Sequence, residues 1–574
     1  MSLILHMCVI ILFAGVKAEA LSYDYTASIE CLANPHKPQY NGGIIQNPEL
    51  NDGLKGWTAF GDAKIEHRES SNNKYVVAHS RNQAHDSVSQ KIYLQKEKHY
   101  TLSAWIQVSE GNVPVTAIVK TTKGFKFAGA TFAESKCWSM LKGGLTADTS
   151  EIAELYFESN NTSVEIWIDN ISLQPFTEKQ WKFHQDQSIE KARKRKVLIQ
   201  AIDEQGNPLP NASISITQKK SRFPFGSAIN NYILNNKAYQ NWFTSRFTVT
   251  TFANEMKWYT TEYAEGKESY NVADAMMQFA KQHNIAVRGH NIFWEDPKYQ
   301  PSWVPSLSPH KLSSAVVKRV SSLVSRYKGQ LIGWDVVNEK LHFSFFEDKL
   351  GRDFSGQTFK LAHYIDGKTT LFLNEYNTIE DGRDGLSTPA RYIQKIRQIL
   401  SYPGNRGLPL GIGLESHFPN FPPNLPFMRA SIDTLASTGF PIWITELDVA
   451  NQPRQAEYFE QVLREAHAHP KIHGIVMWTA WSPNGDCYRI CLVDNNFKNL
   501  PAGDVVDKLL NEWGLRKLSG KTDQNGFLEL SLFHGDYEIE ISHPVKKDST
   551  FTQNVQVIPK DESKKATQFV QLSM

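Results

Sequence analysis

A chain of 574 residues is too long for one hydrophobic core, and at about 150 residues per domain it should divide into two to four units. Its 41% hydrophobic and 11% aromatic content is that of a folded protein and excludes a disordered scaffold. Formal charge is +2, with 62 bases interleaved among 60 acids, so nothing points to nucleic acid or another polyanion as a partner.

The chain opens MSLILHMCVIILFAGVKAEA. An apolar run from Met7 to Val16 precedes Ala18-Glu19-Ala20, a small-x-small cleavage site. Residues 1–20 are therefore expected to be a secretory signal, although its leading region lacks Lys or Arg. The other reading is an uncleaved anchor, for which the run is short. No later stretch is apolar enough to span a membrane. Cleavage would remove Cys8 and leave Cys31, Cys137, Cys487 and Cys491, an even number in an oxidising route. Cys487 and Cys491 share the loop DCYRIC and are expected to pair, and Cys31 can pair with Cys137. No His cluster stands beside them at metal spacing, so zinc is not expected, nor is any cofactor. Asn160, Asn161, Asn170 and Asn211 lie in N-x-S/T sequons and are glycosylation candidates on a secretory route.

Residues 41–176 read as strands throughout. KYVVAHS, HYTLSAWIQVS, PVTAIVKTT, AELYFES and VEIWIDNISL alternate apolar and polar residues between Gly, Asn and Ser, the pattern of an antiparallel, jelly-roll-like β-sandwich. Two flanking segments, 190–221 and 517–574, carry strand–turn–strand patterns that can belong to one small transthyretin-like β-sandwich. Otherwise they are a linker and a separate C-terminal tail.

Between them, over 222–516, strand-like and helix-like runs alternate. The strand candidates are FPFGSAI, FTVTTFANE, AVRGHNIFW, LIGWDVVNE, TTLFLNEYN, LGIGLESHF, PIWITELDVA and IHGIVMWTAW. One intervening helix is expected to place Val272, Ala275, Met276, Phe279 and Ala280 on one face. Another is expected to place Val316, Val317, Val320, Leu323 and Val324 so. AGDVVDKLLNEW would be the last. Eight strand–helix units over this length predict a (β/α)8 barrel, the TIM fold, whose reactive groups sit where strands end. The candidate strands do end in acids, His and Trp: Asn254, His290 with Trp294, Asn338 with Glu339, Glu375 with Tyr376, Glu415 with His417, Glu446 with Asp448, and Trp478.

Glu339 and Glu446 close candidate strands four and seven, and a closed barrel lets both face one cleft. Two carboxyls across a cleft are what glycosidic cleavage needs: one protonates the leaving oxygen and the other attacks the anomeric carbon or activates water. Trp294 and Trp478 offer a stacking floor for a sugar ring. Asn338 is placed to bond a sugar hydroxyl and His417 to orient Glu446. Asp335, inside a strand, reads as structural.

The segments NEMKW, RGHNIFW, WDVVNE, LFLNEYN, GIGLESHF and ITELDV, in that order, resemble family 10 of the glycoside hydrolases, the endo-1,4-β-xylanases, and HNIFWEDPKYQP and LPAGDVVDKLL resemble its plant members. The resemblance implies Glu339 as acid/base and Glu446 as nucleophile of a retaining reaction. It implies a cleft lined by Asn254, Lys257, His290, Trp294, Asn338, Tyr376, His417 and Trp478. Three positions depart from the commoner pattern. Ala253 stands where many members have Glu, at a cost of about 1–2 kcal/mol in one hydroxyl contact. Glu295 stands where microbial members often have His. Glu415 stands for Gln, and a third carboxylate beside the nucleophile would raise its neighbours' pKa values unless it is paired or protonated.

The N-terminal segment resembles family 22 carbohydrate-binding modules, through NGGIIQNPELNDGLKGWTAFG at its start and EIWIDNISL at its end. Tyr156 and Glu158, two apart on one strand and so on one face, are its binding candidates together with Trp105. Such modules often hold a structural calcium, for which Asp169 and Glu49 are candidates. The expectation is a secreted, extracellular, cell-wall xylanase, monomeric, with xylan as its partner. The same chemistry allows transglycosylation, and a non-catalytic xylan-binding protein is the competing class.

Overall fold

The computed structural model describes residues 21–573 other than 71–72, 479, 486, 516, 544–549 and 561–566, so the expected signal lies outside the described residues. Eight parallel strands form a barrel: β1 (Phe225–Ser227), β2 (Val249–Thr251), β3 (Ala286–Trp294), β4 (Gly333–Asn338), β5 (Thr370–Glu375), β6 (Leu410–Leu414), β7 (Ile442–Val449) and β8 (Ile472–Met477). β1 pairs with β2 and β8, and β6 with β5 and β7, so the sheet closes without an edge. Every residue of β4, β6 and β7 is buried, as strands covered on both faces require.

Helices wrap the outside. Pro309–Tyr327 and Pro389–Ser401 each begin at a Pro, behind Ser308 and Thr388, whose hydroxyls accept from the N–H groups of Lys311 and Arg391. Two apolar faces differ from expectation. Asn271–Gln282 buries Ala273, Met276, Met277, Phe279 and Ala280 and leaves Val272 exposed, and Val317 is exposed on Pro309–Tyr327. By spacing Val272 falls within the buried arc, between Phe279 and Met276, but it stands in the helix's first turn, where spacing alone does not decide burial.

Inside the barrel, Val249, Phe372, Trp443 and Val476 make an apolar floor. Glycines make room for its rings: a Cβ on Gly411 would stand 2.5 Å from Phe372, and one on Gly474 2.3 Å from Trp443. Arg288 lies over this floor, its guanidinium 4.6 Å from the Phe372 ring, and donates to Asp335 at 2.7 Å. Asp335 in turn holds His290 Nδ1 at 2.9 Å, so its structural reading stands.

The N-terminal module is a ten-stranded antiparallel sheet whose strands run from Thr58–Phe60 to Ile166–Phe176, packed round Val76, Ala104, Ile106, Leu155 and Phe157. Trp105 does not share a face with Tyr156 and Glu158. It is only 2% exposed, in a separate cluster with Tyr75, Val77, Trp138 and Met140, under an N-terminal segment that Cys31–Cys137 ties down. Asn170 is corrected too: its Nδ2, the atom a glycan would take, is buried and donates to the His36 carbonyl at 2.8 Å. Asn160, Asn161 and Asn211 are exposed. Asp169 is buried with Oδ2 unpartnered, and burial, with the Glu49 charge adding, pushes its carboxyl up to about 7. That orphaned oxygen suits a cation ligand.

The helix Glu178–Ala192, absent from the sequence expectation, leads from the module to the flanking strands. Lys194–Ile202 pairs with Phe527–Phe533 and Thr567–Ser573, and Ser213–Ser221 with Leu518–Lys521 and Gly535–Ser542. Val197, Ile199, Ile214, Ile216, Ile539 and Ile541 share one core, so segments from both sides of the barrel make a single small β unit.

Candidate active site

Glu339 is the first residue past β4. Its backbone is left-handed (φ 57°), and its N–H donates to the Asn374 carbonyl at 2.9 Å. A non-glycine residue in that region is uncommon and concentrates at functional positions. Burial pushes its carboxyl up to about 8, with the charges of Glu375 and Glu446 adding and the Trp294 indole opposing. Among the described residues no cation is paired with it.

Glu446, in β7, is set the other way. Asn374 Nδ2 donates to its Oε1 at 2.9 Å. His290 Nδ1 lies 3.7 Å from Oε1 and His417 Nε2 3.6 Å from Oε2. Burial works to raise its pKa, but His290, His417 and Lys257 outweigh burial and hold it at about 2. Burial also lowers His417, yet Asp448, bonded to Nδ1 at 2.9 Å, and the two glutamates lift it well above the usual imidazole range. His417 is thus a fixed cation beside Glu446.

Glu415 is buried, accepts from Asn374 Nδ2 at 3.2 Å and lies 3.5 Å from His417 Nε2. Burial, then the charges of Glu446 and Glu339, push its pKa well above the carboxylate range. It therefore stands as a neutral group, close in shape and charge to the Gln of the commoner pattern. Glu295 is buried, accepts from the Phe346 N–H at 2.9 Å, and is pushed up to about 7 by burial. It ties the end of β3 to the short helix Phe345–Leu350 that follows β4.

The remaining expected residues gather round this pair. Lys257 Nζ lies 4.5 Å from the Trp294 ring centre and 5.4 Å from that of Trp478, within 3.5 Å of Asn254 Oδ1. Trp478 meets His290 edge-on at 5.3 Å, and Trp294 stacks on Tyr299 at 3.9 Å, so one of its faces is already covered. Tyr376 stacks on His342 at 3.8 Å. His342 is clamped between Glu375 at 2.6 Å and Asp384 at 2.7 Å; although burial lowers it, Asp384 and Glu375 raise it to about 9.

Sequence reasoning missed three residues here. Asn374 is the hub, donating to Asn338 Oδ1 at 2.8 Å as well as to Glu446 and Glu415, with its own Oδ1 fixed by Thr445 at 2.6 Å. It sat in LFLNEYN beside the more conspicuous Glu375 and Tyr376. His342 has no motif of its own. Tyr488 is 67% exposed and reaches within 5.6 Å of His417 from the loop that Cys487–Cys491 closes.

A carboxyl held neutral facing a carboxylate held charged, at the strand ends of a parallel barrel and beside aromatic rings, defines a glycoside hydrolase. The chain belongs to glycosyl hydrolase family 10, whose model matches residues 215–508, and a carbohydrate binding domain matches 42–163. It is 37% identical to endo-1,4-beta-xylanase 5 of Arabidopsis thaliana over 95% of this chain and 94% of that one. To endo-1,4-beta-xylanase 5-like of the same plant it is 38% identical, over 92% and 91%. Xylanase 10B of Thermotoga petrophila, solved with xylobiose, aligns at 22% identity and a TM-score of 0.44, over 51% of this chain and 94% of that one.

Proposed function

We propose that the protein is a retaining endo-1,4-β-xylanase that cuts internal bonds of xylan. The observation that carries this is Glu446 held as a carboxylate, hydrogen-bonded by Asn374 and with His290 and His417 within 4 Å, while Glu339 has no paired cation among the described residues. Glu446 attacks the anomeric carbon while Glu339 gives its proton to the leaving oxygen. With the aglycone gone, Glu339 is the base that takes a proton from water as water displaces Glu446. Asn338, its Oδ1 held by Asn374, donates Nδ2 to a hydroxyl of the bound sugar. Lys257 and Asn254 bind further hydroxyls on the same side, and Trp478 bounds the ring.

Two disulfides support export to an oxidising, extracellular space such as a plant cell wall. Among the described residues no helix is long and apolar enough to cross a membrane.

The test is reducing-end release from glucuronoxylan and arabinoxylan, with Glu446→Ala as control and the anomer of the first product read by NMR. Release lost in the variant and a first-formed β-anomer support the proposal. Background release from both proteins sinks hydrolysis, and longer chains with few new reducing ends would instead mean transfer to an acceptor sugar.

A further inference from the structure

The carbohydrate-binding module is not tethered loosely to the barrel. Lys142 of the module donates to Asp433 of helix Leu425–Ala436 at 2.7 Å, with both side chains buried. Asn424 Nδ2 donates to the Gly144 carbonyl at 3.0 Å, and the Gly144 backbone lies so close that a Cβ there would stand 2.6 Å from Pro426. Phe127 packs edge-on against Phe427 at 5.4 Å and covers Gly382, where a Cβ would stand 2.2 Å from its ring.

At this seam runs a groove of about 330 Å3, with Phe125, Phe132 and Glu158 on the module side and Gly382, Arg383 and Arg391 on the barrel side. Phe125 is 64% exposed, whereas Tyr156 is only 3% exposed, stacked under Phe60 at 3.9 Å with its hydroxyl on Glu158 at 3.2 Å. The open ring is thus Phe125, with Tyr156 its support at 6.4 Å. Arg391 lies 5.1 Å over Phe132. The barrel wall of this groove is the loop after β5 with the first turn of helix Pro389–Ser401. Asp384, between groove-lining Arg383 and Gly385, accepts from Asn377 Nδ2 at 2.8 Å and holds His342, on which Tyr376 of the catalytic cleft stacks. One short loop therefore has the cleft on one side and the groove on the other.

We propose that the groove is a distal subsite of the cleft. One β-1,4-linked xylan chain leaves the barrel mouth past Tyr376, crosses the 376–388 loop and lays sugar rings on Phe125, its hydroxyls bonding to Glu158 and Arg391. This rests on the xylanase reading for the identity of the chain. An apolar ring face with hydroxyls at its edge is what an exposed aromatic flanked by a carboxylate and a guanidinium binds. Because the module is fixed to the barrel, the second contact is intramolecular, and affinity rises only once a chain is long enough to reach both.

Two measurements decide it. The first is the ratio of kcat/KM on soluble polymeric xylan to kcat/KM on a xylose tetramer. It is expected to fall about tenfold in Phe125→Ala, and likewise in Gly382→Val, which wedges Phe127 off the loop without touching Phe125. The second is calorimetric affinity of Glu446→Gln protein for xylose oligomers of increasing length. A step of about tenfold is expected once the chain outgrows the cleft, and both substitutions are expected to remove it. A ratio and a length step equal to wild type in Phe125→Ala overturn the proposal. So does a step lost in Phe125→Ala but kept in Gly382→Val, since the module would then bind independently of its docking. Absence of hydrolysis in the wild type would overturn the xylanase reading instead, and the length series, which needs no turnover, would still decide the groove.

Discussion

At the scale of single residues, the site is a distribution of protons. Glu339, raised to about 8, is protonated at neutral pH, and Glu446, held at about 2, is ionised. The acid step needs both states, so kcat/KM is expected to fall as pH rises through about 8, where Glu339 loses its proton, and to show no fall between pH 5 and 7; a pH–rate profile on a soluble substrate checks this. Asn374→Ala removes the donor to Glu446, Asn338 and Glu415 together. A lost bond to a charged group is about 2 kcal/mol, so kcat/KM is expected to drop about 30-fold with the fold intact by circular dichroism. Ala253, which stands where many family members have Glu, gives the opposite case. Glu255 does not fill in for it, because its carboxylate is turned to the N–H groups of Asn231 and Asn254. Ala253→Glu is expected to lower KM for longer oligosaccharides about tenfold with kcat little changed.

At the scale of elements, strand ends and the loops after them set who meets whom. The loop closed by Cys487–Cys491 lies against the site because Arg489 reaches Asp448 at 3.4 Å, and Gln455 holds the Arg489 carbonyl at 2.9 Å. Opening it with Cys487→Ser and Cys491→Ser frees Tyr488 from its place beside His417. An aromatic contact of about 1 kcal/mol predicts a KM about fivefold higher, read in steady-state kinetics on oligosaccharides. The strands were legible because acids, His and Trp interrupt otherwise apolar runs at their ends. The helix faces were legible only in part, and Val272 and Val317 show the limit. Trp105 shows another: alternation along a strand says which residues share a face, but not which face a distant segment covers.

At the scale of the whole molecule, the module, the helix that follows it and the barrel are locked together by buried polar groups. Asp433 takes Lys142 at 2.7 Å, Tyr23 at 2.6 Å and His469 at 2.9 Å. Glu465 receives Arg429, Trp181 and Gln185. Lys142→Ala leaves Asp433 buried without a charged lysine partner, at a cost of about 3 kcal/mol. Calorimetry is expected to show the module melting ahead of the barrel in the variant, and with it in the wild type.

The sequence by itself determined the eight alternating runs, the sandwich-like rhythm before them and the carboxylates at strand ends, because periodicity and interruption are local properties of a chain. It also contained the two flanking patterns, without saying that they pair. Only the tertiary structure decided which carboxylate holds a proton, since that depends on burial and on charges brought from distant strands to within 4 Å. It alone made Asn374 a hub, buried Asn170 and Trp105, and set the module's open aromatic beside the catalytic loop. Each of these turns on contacts between residues far apart in sequence, which no spacing along the chain encodes.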